Sequence, residues 1–205
     1  MSSPFQFLVI EGSNGVGKST IVEYLKQRTG GVSFHYPPEF LKFRREARLD
    51  ESLKPLPRLS YYLAATLHLS DLVRAQLAKS HVICDRYLAS PLSLMISESV
   101  IEEEKVQELV APFLPYLRFP DVTLFLTSSY PVACARIRSR MAQSGTLTPV
   151  AQRTLESEDL FRGRNEACRR WSARLSRVVE LDTTNLSSEQ MCDAARSLLT
   201  PALSW

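Results

Sequence analysis

The chain opens on a short apolar run, Phe5–Glu11, which stops at Gly12. A run this short and this apolar reads as a buried strand. Ile21, Val22 and Leu25 come next at helical spacing within Ser19–Arg28, and Gly30–Gly31 ends that helix. Val32–Tyr36 is a second strand, broken by Pro37–Pro38. Leu56, Leu59, Leu63 and Leu67 then repeat at helical spacing, and Leu69, Leu72 and Leu77 carry the helix toward Lys79. His81–Cys84 is a brief strand ending in Asp85. Helices are expected from about Ser90 and through the acidic segment, and Pro112 and Pro115 punctuate that region. Asp121–Thr127 is the clearest strand of the chain. Pro131–Arg140 is helical, Met141–Pro149 reads as a loop around Gly145, and helix resumes from about Val150 to Leu175. Arg177–Leu181 is the last strand. Ser187–Leu199 is the last helix, with Ser187 or Ser188 as N-cap and Glu189 and Gln190 in its first turn.

Strands alternating with helices imply right-handed crossovers and a parallel sheet covered on both faces. With no repeat or linker in 205 residues, a single domain over 1–205 is the reading. Hydrophobic content is an ordinary 44% and net charge is +3, too weak a balance to indicate nucleic acid. The arginines nevertheless gather between Arg136 and Arg177, and a local cluster can serve phosphate groups. Cys84, Cys134, Cys168 and Cys192 form no C-x-x-C pair, so reduced thiols in or near the core are expected. Met1–Gln6 lacks a basic n-region, and no apolar segment approaches the ~20 residues of a membrane span. The expectation is a soluble cytoplasmic protein without membrane or nucleic-acid partners.

Gly12-Ser13-Asn14-Gly15-Val16-Gly17-Lys18-Ser19-Thr20 fits G-x-x-x-x-G-K-[ST], between an apolar strand and a helix. Glycines let the backbone curl so that N–H groups point at a phosphate, and the helix N-terminus adds partial positive charge. Lys18 would bridge the β- and γ-phosphates of ATP, and the Ser19 hydroxyl would ligate Mg²⁺. The fold expected is a three-layer P-loop NTPase fold, α/β, with a five-stranded parallel sheet. No N-K-x-D tetrapeptide is present to read guanine, and a motor ATPase would need more chain, which leaves a small kinase. Asp85-Arg86-Tyr87 directly follows a strand, where α/β sheets gather ligands. Asp85 could hold Mg²⁺ through water or take a proton from the acceptor, and Arg86 could bind a phosphoryl oxygen. The plainer alternative is an N-capping Asp beside a surface Arg.

With these residues the chain resembles the thymidylate kinases over nearly all its length. The resemblance rests on Val9-Ile10-Glu11-Gly12 running into Gly17-Lys18-Ser19-Thr20, and on Asp85-Arg86-Tyr87 with Ser90. It also rests on Arg136-Ile137-x-x-Arg140, on Glu156 to Phe161, and on Leu181-Asp182-Thr183. It implies an ATP- and Mg²⁺-dependent kinase with a lid at about 136–162. Arg136 would lie against the adenine or phosphates, Arg140 or Arg153 would reach the transferring group, and Thr183–Leu186 would form the adenine-side loop. A solvated helix face is the better reading for Arg138, Arg162 and Arg164. Family members are often homodimers, and the helix Leu56–Leu77 could supply an interface, although the same leucines would serve a core.

On the acceptor side the chain departs from the family in three places. Asn14 stands where an Asp or Glu usually holds the sugar 3′-hydroxyl. No arginine occurs between Leu59 and Val73 to read the thymine, and His68 is the only basic residue there. Tyr36-Pro37-Pro38-Glu39-Phe40 replaces a P-E-R-type segment whose arginine meets the acceptor phosphate, with Arg44 and Arg45 further on. The acceptor pocket is expected among Asn14, Tyr36, Glu39, Phe40, Tyr62, Thr66, Asp85 and Arg86. The leading reading is transfer to a nucleotide, with dTMP as the family default. The alternative is a nucleoside or other uncharged hydroxyl compound: among these residues Arg86 is the one expected phosphate binder and Glu39 would repel a dianion, so the departures predict that dTMP is a poor substrate or none and that a less anionic acceptor with a free hydroxyl does better. A non-catalytic ATP-binding protein is the third reading, against which Lys18, Ser19, Asp85 and the lid arginines argue.

Overall fold

The computed structural model describes residues 5–38 and 53–200. Glu39, Phe40, Arg44 and Arg45 lie outside them. Strand β1 (Phe7–Glu11) leads through the phosphate loop into α1 (Lys18–Thr29), then β2 (Val32–His35). Next come α2 (Pro55–Gln76), β3 (Val82–Asp85), α3 (Ala89–Ser97), α4 (Glu103–Val110) and a 3₁₀ helix (Ala111–Tyr116). The chain continues through β4 (Val122–Thr127), α5 (Tyr130–Ser144), α6 (Pro149–Glu156), α7 (Glu158–Leu175), β5 (Arg177–Asp182) and α8 (Ser188–Leu199).

The five strands are parallel in the order β2-β3-β1-β4-β5. The chain fills one side of β1 before crossing to the other, so the sheet switches direction at β1. A ligand crevice is expected at the carboxyl ends of the strands there. β1 alternates cleanly between the two faces. Phe7 and Val9 join Leu59, Leu69, Leu92 and Trp171 in one core, and Leu8 and Ile10 join Ile21, Leu25, Leu124 and Leu199 in the other. Burial of all five β1 residues explains its unbroken apolar run. The leucines of α2 serve this chain's own core, with Leu59, Leu63 and Leu69 buried and Leu56 exposed.

Two boundaries differ from the sequence expectation. The expected loop from Met141 to Pro149 is helical as far as Ser144, because Met141, Ala142 and Gln143 are sound helix formers. Gly145 ends that helix at φ 67°, and the Thr148 hydroxyl caps α6 by accepting from the Ala151 N–H at 3.2 Å. The helix expected from Val150 to Leu175 breaks at Ser157. Its extended backbone ends α6, and its hydroxyl caps α7 by accepting from the Leu160 N–H. Ser187 caps α8 in a capping box with Gln190. All four cysteines are free thiols, three of them buried. No described helix is long and apolar enough to cross a membrane.

Candidate active site

β1 ends where the backbone must turn sharply away from β4. At Gly12, φ is 128°, and a Cβ would lie 2.3 Å from the Leu126 carbonyl oxygen. Gly15, at φ 83°, passes so close to α5 that a Cβ would meet the Ala133 carbonyl oxygen at 2.4 Å. Side chains are therefore excluded from both positions. α1 begins at Lys18 with left-handed Gly17 as its N-cap, and no side chain caps it. Its first-turn N–H groups and the positive end of its dipole remain available to an anion. Gly12, Ser13 and Val16 are buried beneath the loop, whereas Asn14, Gly15, Gly17, Lys18, Ser19 and Thr20 line a cavity of about 820 Å³.

Lys18 donates to the Ser13 carbonyl at 2.6 Å. Burial, then the neighbouring Arg86 charge, pushes its ammonium down to about 7. Asp85 stands at the end of β3, paired in register with Ile10 of β1 and His35 of β2. Burial alone would raise its carboxyl. His35, Lys18 and Arg86 override that and hold it at about 2. Asp85 Oδ2 lies 3.3 Å from His35 Nδ1, while the buried Oδ1 has no hydrogen-bond partner among the described residues.

Arg86 has φ 75°, and its guanidinium is held by three acceptors. Nη1 donates to the Gly12 carbonyl at 3.0 Å and the Ser90 hydroxyl at 2.9 Å, and Nη2 donates to Asn14 Oδ1 at 2.8 Å. Asn14 thus turns its amide oxygen to Arg86. Ser90 in turn donates at 2.5 Å to Glu11, which also accepts from the Tyr87 N–H at 2.9 Å. Burial raises the Glu11 carboxyl against the pull of Arg86. The sequence signal for Glu11 was its place at the end of an apolar strand, where a buried carboxylate needs partners.

Arg136 of α5 donates to the Thr183 carbonyl and hydroxyl and to the Leu186 carbonyl, at 2.8, 2.9 and 3.3 Å. Thr183 is fully buried, and its hydroxyl has the Thr127 and Val16 carbonyls within reach at 2.9 and 3.1 Å. It ties the Thr183–Leu186 loop to the Gly12–Thr20 loop from below and stays off the cavity wall. Arg136, Ser139, Arg140 and Gln143 of α5 line the cavity.

At its other end the cavity runs between His35, Tyr36, Tyr61, Tyr62, Pro91 and Leu94. Tyr36 donates to the Tyr62 carbonyl at 3.1 Å, and Thr66, fully buried behind the wall, donates to the same oxygen at 2.9 Å. Of the expected acceptor residues, Asn14, Tyr36, Tyr62, Asp85 and Arg86 come together around the cavity and Thr66 backs it. His68 is exposed and away from the lining. Arg153 is turned to Glu98, with Nε 2.8 Å from Oε1, and is not among the lining residues.

Arg164 corrects the sequence expectation. It is 5% exposed and lines the cavity; it does not sit on a solvated face. Phe161, Arg164, Cys168, Trp171 and Leu175 are all buried along α7, so Arg164 falls on the inward stripe of that helix. Arg162, at 74% side-chain exposure, and Arg138 do face solvent. His35 was also missed. Its signal was its position at the carboxyl end of β2, level with Asp85 in a parallel sheet.

A family model for thymidylate kinase matches residues 10–190. The thymidylate kinases of Ectopseudomonas mendocina and Rickettsia africae are 31% and 29% identical to the chain over 146 and 144 residues. Those alignments cover 65% and 66% of this chain and 69% and 70% of the relatives. The structure of Candida albicans thymidylate kinase superimposes with a TM-score of 0.70 at 18% identity, covering 98% of this chain and 93% of that one. Deoxyadenosine kinase from M. mycoides with bound dATP gives 0.68 at 17%, covering 94% and 98%. At these identities the two solved structures speak for a shared fold.

Proposed function

The chain belongs to the thymidylate kinase family and is an ATP-dependent nucleotide kinase; from that premise we propose that its acceptor is a nucleoside 5′-monophosphate, with dTMP the first candidate. ATP would bind with its phosphates on the loop from Gly12 to Thr20 and its adenine near Arg136. The acceptor would enter from the tyrosine-lined end, so that both phosphates meet beside Lys18 and Arg86.

The observation that carries this reading is geometric: Lys18, Arg86, Arg136 and Arg140 line one cavity in which Asp85 is the one described carboxylate. The charges around Asp85 hold its carboxyl low, the direction that weakens it as a proton acceptor for a sugar hydroxyl. A monophosphate, with its second pKa near ~6, already presents an ionised oxygen at pH 7. What it needs is positive charge and alignment, which Lys18, Arg86 and the lid residue Arg140 supply. Ser19 and Asp85 would hold Mg²⁺. The buried, unpartnered Asp85 Oδ1 and the exposed Ser19 hydroxyl at the loop suit that ion or its bound water. Bound there with ATP, Mg²⁺ neutralises charge on the β- and γ-phosphoryl oxygens. The lid, about 136–162, would close over the nucleotides and exclude water.

One observation favours a second reading. His35 and Asp85 form a pair at the cavity wall, and such a pair could take the proton of a nucleoside hydroxyl. A single experiment separates the two: kcat/KM for dTMP against thymidine and further nucleosides and monophosphates, at saturating MgATP. The proposal expects the monophosphates to be preferred by at least about a hundredfold. Preference for nucleosides, together with loss of that activity in His35→Gln, would replace it with the second reading.

A further inference from the structure

Glu98, at the C-terminal end of α3, faces three arginines from three other helices. Arg153 of α6 lies 2.8 Å away, Arg58 of α2 3.3 Å and Arg164 of α7 3.4 Å. One carboxylate cannot neutralise three guanidinium groups, and Arg153 and Arg58 are the nearer claimants. Arg58 has further contacts, with its Nε 3.3 Å from the Tyr62 hydroxyl and its guanidinium over that ring. Arg164 has no such support. Its hydrogen bond to Glu98, at 3.4 Å, is long, and its buried Nε has no partner among the described residues. A guanidinium carries five N–H donors, and a buried one is costly to leave so poorly satisfied.

Arg164 and Arg86 line one cavity. Arg164 is one helical turn before Cys168, whose thiol touches Glu11 at 3.5 Å. Glu11 holds Ser90, and Ser90 supports Arg86. Both arginines line the same cavity, and no described carboxylate on its wall other than Asp85 competes for them.

We propose that Arg164 is an acceptor-binding and specificity-determining residue, which with Arg86 takes an anionic phosphoryl oxygen of the acceptor. The inference rests on the nucleoside monophosphate reading above and names a contact to stand in for the arginine missing from the Tyr36–Phe40 segment. Burial pushes the Arg164 guanidinium down to about 10 against the pull of Glu98, so the side chain stays charged at pH 7 while lacking full compensation. An incoming dianion supplies that compensation. Glu98 fixes the direction of Arg164 and also pairs with Arg153 and Arg58.

The test uses the whole chain with dTMP, thymidine and MgATP as probes. In Arg164→Gln the KM for dTMP should rise about ten- to a hundredfold, as for a lost charged hydrogen bond, with the KM for ATP within about twofold. The Kd of thymidine, which lacks the phosphate, should be unchanged. Arg164→Lys keeps the charge and should recover part of the loss. Equal losses for dTMP and thymidine, or for dTMP and ATP, would assign Arg164 a structural role and overturn the proposal. Should the Gln variant not fold, a structure of the wild type with dTMP decides. Arg164 within about 3 Å of a phosphoryl oxygen supports the contact, and a phosphate held only by other groups refutes it. If the wild type neither binds nor phosphorylates any monophosphate, it is the functional reading that fails, and the Arg164 assignment fails with it. If the wild type works and the variants match it, only the Arg164 assignment is lost.

Discussion

The environment of Lys18 has a measurable consequence. Its ammonium is pushed from an ordinary 10.5 down to about 7 by burial and by Arg86. Between those values the unfolded chain holds a proton that the folded chain has released. The unfolded state then binds more protons, so this group makes the free protein more stable as pH rises from about 7 toward 10. Urea titrations at pH 7, 8 and 9 should show that increment in the wild type, and Lys18→Met should lack it. An identical pH dependence in both would contradict the assignment. Phosphates bound beside Lys18 would reverse the balance by favouring the charged ammonium. Lys18→Ala should fold and lose about 10²–10³ in turnover, the usual cost of one transition-state contact.

Among the elements, α5 and α6 are the ones proposed to close over the cavity. Residues 138–146 are exposed, and only Gly145–Thr148 separate the two helices. Hydrogen exchange over 136–162 should slow more with ATP plus dTMP than with ATP alone. Equal protection in the two states would rule out a closing lid. α6 is moored at its inner end through Arg153 and Glu98, whose carboxylate also holds α2 and α7. Glu98→Gln leaves buried arginines without their counter-charge and should cost about 3 kcal/mol by urea denaturation. A change below about 1 kcal/mol would mean that the cluster does not hold these helices together.

Across the molecule, what was legible in the sequence was what is local. The strand–glycine loop–helix unit is written in nine consecutive residues, and Asp85 and Arg86 declare themselves by their place directly after a strand. Their juxtaposition then comes from the parallel sheet, which pairs Ile10 with Asp85. Elements were harder to bound where one helix former succeeds another, as from Met141 to Ser144, or where a single serine both ends and begins a helix. The arginine cluster was not legible, because Glu98 meets Arg58 and Arg164 across 40 and 66 residues of chain. Charge density in the sequence suggested a solvated face for Arg164, although its place in the Phe161–Leu175 stripe carried the opposite signal. That one position changes the account of the acceptor, since the expectation of a weakly held dTMP counted Arg86 as the one confident phosphate binder on that side.

The central claim is that a phosphoryl group passes from ATP to a phosphate and not to a hydroxyl or to water. The most direct measurement traces label from [γ-³²P]ATP in the presence of Mg²⁺ and dTMP. The account predicts label in a nucleoside diphosphate, one for each ADP formed, and loss of that product in Lys18→Ala. Label appearing as inorganic phosphate, or on a nucleoside monophosphate when thymidine replaces dTMP but on no product when dTMP is supplied, would contradict it.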